Sequence, residues 1–238
     1  MIPSPYIYAF ICTRSNKISK TLDGLLLYLR KSGVEVRLLV DKESMFDAYD
    51  KELELIIDNG ANPDDIVIMC HDDVEIMSDP EMFITVIRDA MKDKKVGIAG
   101  VAGTRKLPKS GIWWEGITGQ NTIHGKHSGT VFHGPSIYET QTSYYGTPSN
   151  VVVVDGVFMV STVGLLDKID LKKPKTFSNG WHFYDLTYCL RAYENGNNNK
   201  VIPILIRHES GGEVDMGWEM NRRKFVHLFR LPVECPKA

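Results

Sequence analysis

Cysteine is scarce in this chain of 238 residues, with four in all, at positions 12, 70, 189 and 235, and none in a CxxC pair. Cys12 and Cys70 fall in apolar, strand-like runs and Cys189 falls in a helical pattern, so we expect buried, reduced thiols. Reduced thiols fit a reducing compartment. The histidines at 124, 127 and 133 do not follow the spacing of a compact zinc site.

Long apolar runs and an excess of one charge are also missing. No apolar stretch approaches the roughly 20 residues that cross a bilayer, and the first residues do not resemble a signal peptide. The formal net charge is -2, and no long basic run is present. We therefore expect a cytoplasmic protein with no transmembrane segment and no nucleic-acid partner, although a small phosphorylated ligand is compatible with this composition.

The two common glycine-rich nucleotide motifs are absent as well. The first predicted strand, Tyr6–Cys12, is followed by Thr13-Arg14-Ser15-Asn16, which has no GxGxxG turn. The chain also contains no GxxxxGK[ST] motif. A dinucleotide fold is thus weakly supported and a P-loop is excluded.

Strands and helices alternate through the first hundred residues. The pattern predicts strands over 6–12, 34–40, 66–70 and 96–101, separated by helices capped or opened at Ser19, Met45 and Pro80. Right-handed crossovers turn this order into a doubly wound, mostly parallel sheet. We predict an α/β fold in a single domain, 1–238, with two halves that divide at about residue 105.

The pattern changes in the second half. Periodicity disappears from Gly103 to Asn150, and a long stretch without clear elements is usually functional or mobile. Further strands are predicted over 151–154, 157–160 and 201–206, and helices over 183–194 and 216–229.

Two acids end the most apolar predicted strand. Ile66–Cys70 runs directly into His71, Asp72 and Asp73. Open α/β sheets bind ligands at the carboxyl ends of their strands, and adjacent carboxylates repel each other unless a positive charge lies near. These acids therefore predict a divalent cation that carries a diphosphate. The alternative is a solvated turn.

His208 also ends an apolar run, and Gly211 and Gly212 follow it. If the two strand ends face one cleft, His208 can supply a nitrogen ligand, and a site with carboxylate and imidazole ligands favours Mn²⁺ over Ca²⁺. The glycines would let the backbone approach a phosphate closely. The alternative is an ordinary loop histidine.

Asp185 and three tryptophans complete the candidate residues. Asp185 lies among aromatic residues at a predicted helix start, which suits a general base whose basicity is raised by desolvation. An ordinary acid of a first helical turn is the alternative. Trp113 and Trp114 are adjacent in a glycine-rich segment and, with Trp181, suit stacking on a sugar face, whereas core packing is the rival explanation.

Together these segments resemble the GT-A-fold glycosyltransferases. They are most similar to the family-2-like sugar transferases of bacterial capsule and lipopolysaccharide loci, with relatives in large viruses. The resemblance covers nearly the whole chain and implies a GT-A fold with an acceptor-side extension. If the protein is viral, its expected location is the host cytoplasm. The segments that carry it are 70–74, 111–114, 154–160, 183–192 and 208–212.

The resemblance also implies roles for these residues. His71-Asp72-Asp73 occupies the place of the DxD motif, so that Asp73 and His208 would hold Mn²⁺ or Mg²⁺. Asp185 would be the catalytic base. The remaining implied contacts are Thr13, Arg14, Asp41, Asp72 and Asp73 for the nucleotide-sugar donor, and Trp113, Trp114 and Trp181 for the acceptor.

The implied function is metal-dependent transfer of a sugar from a nucleotide-diphosphate sugar, with UDP favoured by resemblance, to a hydroxyl of a glycan acceptor, with inversion. Residues 1–105 would bind the nucleotide-sugar, and 106–238 would bind the acceptor and carry out catalysis. Three alternatives remain at this point: a retaining glycosyltransferase, a sugar-phosphate nucleotidyltransferase, and a non-catalytic carbohydrate-binding module.

Overall fold

A computed structural model describes residues 4–118, 121–122, 125–212 and 214–235. Within these residues the helices are α1 (Lys20–Lys31), α2 (Met45–Asp58), α3 (Pro80–Lys92), α4 (Val163–Ile169), α5 (Tyr184–Glu194) and α6 (Met216–Leu228), with 3₁₀ turns at Ser15–Lys17 and Ile137–Glu139. The strands are β1 (Ile7–Thr13), β2 (Glu35–Val40), β3 (Ile66–Cys70), β4 (Val74–Ile76), β5 (Val96–Gly100), β6 (Ala102–Thr104), β7 (Lys106–Leu107), β8 (Ile117–Thr118), β9 (Asn121–Thr122), β10 (His127–His133), β11 (Gln141–Gly146), β12 (Asn150–Val151), β13 (Val153–Val154), β14 (Phe158–Thr162), β15 (Asn198–Val201), β16 (Ile206–His208) and β17 (Val233–Glu234).

The first three helices begin where the sequence predicts, and α1 and α3 have the predicted capping residues. The Ser19 hydroxyl accepts a hydrogen bond from the backbone N–H of Leu22 at 3.1 Å. Asp79 caps α3 in the same way, and Pro80 fills the first helical position, where a missing N–H costs nothing. These caps satisfy backbone donors that a helix leaves unpaired at its N-terminus.

The larger sheet has the strand order β12-β15-β5-β14-β3-β1-β2. Strand β1 runs parallel to β2 and β3, and β15 runs parallel to β5, as the alternating pattern predicts. Strand β14 lies between β3 and β5 and is antiparallel to both, and edge strand β12 is antiparallel to β15. The α/β prediction is confirmed, but the sheet is more mixed than the sequence predicts, because β14 enters it through a short turn after β13 and not through a helical crossover.

Helices cover both faces of this sheet. Phe10 packs against Tyr49 of α2, whereas Phe158 packs against Phe83 of α3. Phe10 is in register, through β3, with Met159, the neighbour of Phe158. Because side chains alternate between faces along a strand, α2 and α3 must lie on opposite faces. The central strand β3 is consequently buried along its whole length.

A second sheet, of order β13-β6-β10-β16-β4 with β11 beside β10, adjoins the first. The His71–Asp73 turn connects β3 of the larger sheet to β4 of the second. Strand β16 lies between β10 and β4, with His208 in register with His133 and Val74. The second sheet thereby brings His208 beside the turn that ends β3.

The prediction of a single strand over 201–206 is wrong. Strand β15 ends at Val201 in the larger sheet, and β16 begins at Ile206 in the second sheet. Pro203 lies between them and has no N–H for a ladder hydrogen bond. The chain uses this interruption to cross from one sheet to the other.

All four cysteines are free, as predicted, and Cys12, Cys70 and Cys189 are buried. Burial raises the pKa of the Cys12 thiol to about 12, so this thiol is neutral and unreactive at physiological pH. Among the described residues, none of the helices combines the length and the apolar composition needed to span a membrane.

Candidate active site

A cleft of about 1250 Å³ opens beside the His71–Asp73 turn, between the end of β3 and the second sheet. Every predicted site residue except Asp41 lines it. The predicted residues in its wall are Thr13, Arg14, Asp72, Asp73, Trp113, Trp114, Trp181, Asp185 and His208.

Three side chains converge at one end of the cleft. Asp73 Oδ1 lies 3.2 Å from His208 Nε2 and 4.0 Å from His71 Nδ1. The two imidazole nitrogens are 3.4 Å apart. Asp72 does not join this group, because its Oδ2 accepts a hydrogen bond from the Thr13 hydroxyl at 2.6 Å. His71, and not Asp72, is therefore the third member of the cluster.

The members of this cluster shift one another's pKa values. Burial alone would raise the pKa of Asp73, but the hydrogen bond and charge of His208, aided by Ser210, hold that pKa well below its usual range. Burial would lower the pKa of His208, and the hydrogen bond with Asp73 raises it instead. Burial and then the charge of His208 lower the pKa of His71, which favours its neutral form.

This cluster suits a divalent transition-metal ion. Its ligand atoms all lie within 4.8 Å of one another. Adjacent ligands around an ion at 2.0–2.1 Å are themselves separated by about 3 Å, close to the two shorter separations measured here. Imidazole nitrogens suit transition metals and carboxylates suit Mn²⁺ and Mg²⁺, so a site with two imidazoles and one carboxylate fits Mn²⁺ better than Mg²⁺.

Asp185 lies in the first turn of α5, beside the turn at Asp155 and Gly156. Its Oδ2 accepts a hydrogen bond from the backbone N–H of Gly156 at 3.0 Å. Burial, reinforced by the negative charge of Asp155, raises the pKa of Asp185 to about 7. A carboxylate with this pKa can accept a proton at neutral pH, as the sequence-based expectation of a desolvated base requires.

Tyr184 connects Asp185 to the three-residue cluster. Its hydroxyl lies 3.0 Å from His71 Nε2 and 3.1 Å from the carbonyl oxygen of Gly156. Phe183, at the start of α5, adopts a left-handed conformation with φ of 67°. Such strain in a bulky residue costs free energy and concentrates at functional sites.

Arg14 and Trp181 lie against each other in the cleft wall. The guanidinium carbon of Arg14 is 5.9 Å from the centroid of the Trp181 ring, within the range of a cation–π contact. Asp41, by contrast, is exposed and lies outside the cleft lining, where its carboxylate accepts a hydrogen bond from the Ser15 N–H. It supports the loop that presents Arg14.

The two adjacent tryptophans have different environments. Trp113 is only 5% exposed and packs edge-on against Tyr145, so core packing, the rival explanation, describes Trp113 better than an exposed stacking surface does. Trp114 is 38% exposed and lies against Trp218 of α6. Burial of Trp113 is possible because the second sheet supplies partners that are distant in sequence.

Several lining residues were not predicted from the sequence. Asp155 lies in a segment that carried the resemblance but was given no role, and Trp218 lies within the predicted helix over 216–229, which was also given no role in the site. His133 packs against His208 with ring centroids 5.9 Å apart. His127 instead contacts the backbone carbonyl of Trp113, and His124 lies outside the described residues.

Comparisons with known proteins give a consistent result. Residues 23–227 match the model of a family described as a glycosyltransferase-like family. No curated protein matches the sequence. The solved structure of A197 from STIV is similar over 98% of this chain and 95% of its own, with a TM-score of 0.50 and 11% identity. That of GalNAc-T7 with UDP, GalNAc and Mn²⁺ is similar over 93% of this chain and 48% of its own, with a TM-score of 0.52 and 9% identity.

Proposed function

This chain belongs to the glycosyltransferase-like family and is an enzyme of the GT-A fold, and we propose that it transfers a sugar from a UDP-sugar to a hydroxyl of a glycan acceptor, with Mn²⁺ dependence and inversion. One observation supports this proposal above the others. A single cleft contains both a cluster of cation ligands and a carboxylate, Asp185, whose pKa is raised to about 7.

Asp73, His208 and His71 are the residues that would hold the cation. When bound there, Mn²⁺ supplies positive charge against the diphosphate leaving group. UDP is favoured by the resemblance, and GalNAc-T7, which has a similar fold, was solved with UDP and Mn²⁺. The proposed donor half, 1–105, thus needs His208 from the proposed acceptor and catalytic half, 106–238.

Arg14, Thr13 and Asp72 would form the nucleotide end of the cleft. Arg14 offers a permanent positive charge to phosphate oxygens. The Thr13 hydroxyl donates to Asp72, which leaves the other oxygen of Asp72 able to accept a hydrogen bond from a ribose hydroxyl. Asp41 would act by supporting the loop at Ser15.

Asp185 would be the general base. Its carboxylate would take the proton of the acceptor hydroxyl while that oxygen forms a bond to the anomeric carbon. The bond from the anomeric carbon to the diphosphate breaks on the opposite side, so a single displacement inverts the anomeric centre. The Gly156 N–H holds the Asp185 carboxylate in position through its Oδ2 atom.

Trp114 and Trp181 would bind the acceptor through the flat faces of their rings, with Trp113 supporting Trp114 from the core. Trp181 also contacts Arg14, so it would lie where donor and acceptor meet.

We further propose a cytoplasmic location, because the buried free thiols fit a reducing compartment.

The direct test is a panel of nucleotide-sugars and glycan acceptors with Mn²⁺ or with EDTA, in which release of nucleoside diphosphate and the anomeric configuration of the product are measured. We expect release with a UDP-sugar only when Mn²⁺ is present, and an inverted product. A product that keeps the donor's configuration would overturn the role of Asp185. Pyrophosphate release from UTP and a sugar phosphate would instead indicate a nucleotidyltransferase, and glycan binding without turnover would indicate a binding module.

A further inference from the structure

Tyr184 has a hydroxyl with two polar neighbours and one proton. The residue is 4% exposed, and its ring packs edge-on against Phe46 and Tyr49. The hydroxyl lies 3.0 Å from His71 Nε2 and 3.1 Å from the Gly156 carbonyl oxygen. Both distances are within hydrogen-bonding range.

Proton counting assigns the direction of both hydrogen bonds. The Gly156 carbonyl can only accept, so the single hydroxyl proton of Tyr184 goes to it. The hydroxyl oxygen then has lone pairs for His71, and the second bond forms only if His71 Nε2 carries a hydrogen. The reverse arrangement, with the hydroxyl donating to His71, would make one hydrogen bond where two are available, and losing a buried hydrogen bond is costly.

A neutral imidazole that carries its hydrogen on Nε2 has a free lone pair on Nδ1. In this structure His71 Nδ1 is the atom that faces Asp73 and His208. We propose that Tyr184 is a positioning residue that fixes this tautomer of His71 and thereby presents Nδ1 to the cation. This inference rests on the metal dependence proposed above.

The same hydroxyl also reaches the base through the Gly156 peptide. The Gly156 carbonyl accepts from Tyr184, and its N–H donates to Asp185. A side chain at position 156 has no space, because a Cβ there would overlap the Tyr184 hydroxyl and lie 3.0 Å from Asp185 Cβ. The Gly156 peptide group therefore contacts both the Tyr184 hydroxyl that orients His71 and the carboxylate of Asp185.

The test compares Tyr184→Phe with Tyr188→Phe. Each change removes one hydroxyl from the same helix, and both rings pack against Phe46. The Tyr188 hydroxyl donates to the Leu171 carbonyl, away from His71. Removing an outer-shell partner of a metal ligand typically lowers metal affinity about 10- to 100-fold. Calorimetric titration with Mn²⁺ should show such a loss for Tyr184→Phe and wild-type affinity for Tyr188→Phe.

A second measurement reads the tautomer without metal. Long-range ¹H–¹⁵N correlation spectra of the metal-free wild-type protein should show His71 with its hydrogen on Nε2, and Tyr184→Phe should show a mixture of tautomers. Wild-type protein with the hydrogen on Nδ1, or Tyr184→Phe with wild-type Mn²⁺ affinity, would overturn the inference. If wild-type protein binds no Mn²⁺, the metal-dependent function fails, and the spectra still decide the tautomer by themselves.

Discussion

Asp73 is held in the cleft by several neighbouring groups. Its carboxylate contacts His208 Nε2 at 3.2 Å and accepts a hydrogen bond from the Ser210 N–H at 3.1 Å. Its backbone carbonyl accepts a further bond from the Glu209 N–H. The Asp73 carboxylate is therefore fixed in position beside both imidazoles before any ligand arrives, which is what a preorganised cation site requires.

We predict that Asp73→Ala abolishes metal-dependent transfer and weakens binding of nucleoside diphosphate. The loss of Mn²⁺ affinity should exceed the roughly 10- to 100-fold cost of removing an outer-shell partner, because a ligand itself is lost. Calorimetry with Mn²⁺ and then UDP measures both effects. Asp64→Ala is a matched control, since Asp64 is an exposed acid paired with Lys94. Wild-type turnover in Asp73→Ala would contradict the assignment.

Asp185→Asn should separate binding from turnover. Asn keeps a carbonyl oxygen for the Gly156 N–H but cannot accept a proton. General base catalysis typically contributes about 10²- to 10⁴-fold, so kcat should fall by a factor in that range while UDP affinity stays unchanged. Steady-state kinetics and calorimetry check these outcomes. A variant with the wild-type rate would show that Asp185 is not the base.

The pKa of Asp185 also predicts a pH profile. Because burial and the charge of Asp155 raise this pKa to about 7, the carboxyl is increasingly protonated below pH 7 and cannot act as a base. The rate at fixed, saturating Mn²⁺ should therefore fall about tenfold per pH unit on the acidic side. An acidic limb that breaks near pH 4 would mean that Asp185 is not perturbed during catalysis.

The same shift has a stability consequence of known sign. An unfolded Asp has a pKa of about 3.9, whereas the pKa of folded Asp185 is raised to about 7. Between these values the native state keeps a proton that the unfolded state releases, so this residue lowers the free energy of unfolding as pH rises. The Asp185→Asn variant has no ionisable group at this position, so its free energy of unfolding does not fall with pH for this reason. Denaturation at pH 4 and pH 8 should show the variant gaining stability relative to wild type at the higher pH only.

At the scale of elements, the turn between β13 and β14 has a tight steric requirement beside the site. Gly156→Ala should destabilise the protein by about 1–3 kcal/mol, the usual cost of overpacking, because the new methyl group would overlap Tyr184. Gly24→Ala is the control, since its Cβ meets no atom within 4 Å in α1 and replacing a helical glycine gains about 0.5–1 kcal/mol. Urea denaturation distinguishes them. Equal effects of the two changes would show that the turn tolerates a side chain.

The sequence predicts these elements unevenly, for physical reasons. Helices α1 and α3 were located by Ser19, Asp79 and Pro80 because caps are local in sequence. The sequence did not predict strands β10 and β11. Their ladder includes Gly129, which allows a close approach of two backbones, since a Cβ there would overlap the Val101 carbonyl. Tertiary packing determines where two backbones approach closely, and the sequence position of a glycine does not show which segment packs against it.

At the scale of the whole molecule, the candidate site is assembled across large sequence separations. His71 and His208 lie 137 positions apart. They meet because β16 pairs with β4, the strand that directly follows the His71–Asp73 turn. The sequence identifies both residues as candidate site residues, since each follows or ends an apolar run, but it does not show that they contact each other. It also misjudged Trp113, because the partners that bury this ring, Tyr145 among them, come from a strand with no periodic signal.

A site assembled from both halves should stabilise the whole fold when filled. A ligand at 100 times its Kd adds about 2.7 kcal/mol, and each kcal/mol raises Tm by about 2–4 °C for a domain of 150–250 residues. UDP with Mn²⁺ should therefore raise Tm by roughly 5–11 °C, and UDP with EDTA by much less, as a thermal-shift assay would show. Asp73→Ala should lose the metal-dependent part, whereas Asp185→Asn should keep it because Asp185 does not touch the cation ligands directly. If EDTA leaves the UDP shift unchanged, the cation is not part of nucleotide binding, and the His71, Asp73 and His208 cluster must serve the fold instead.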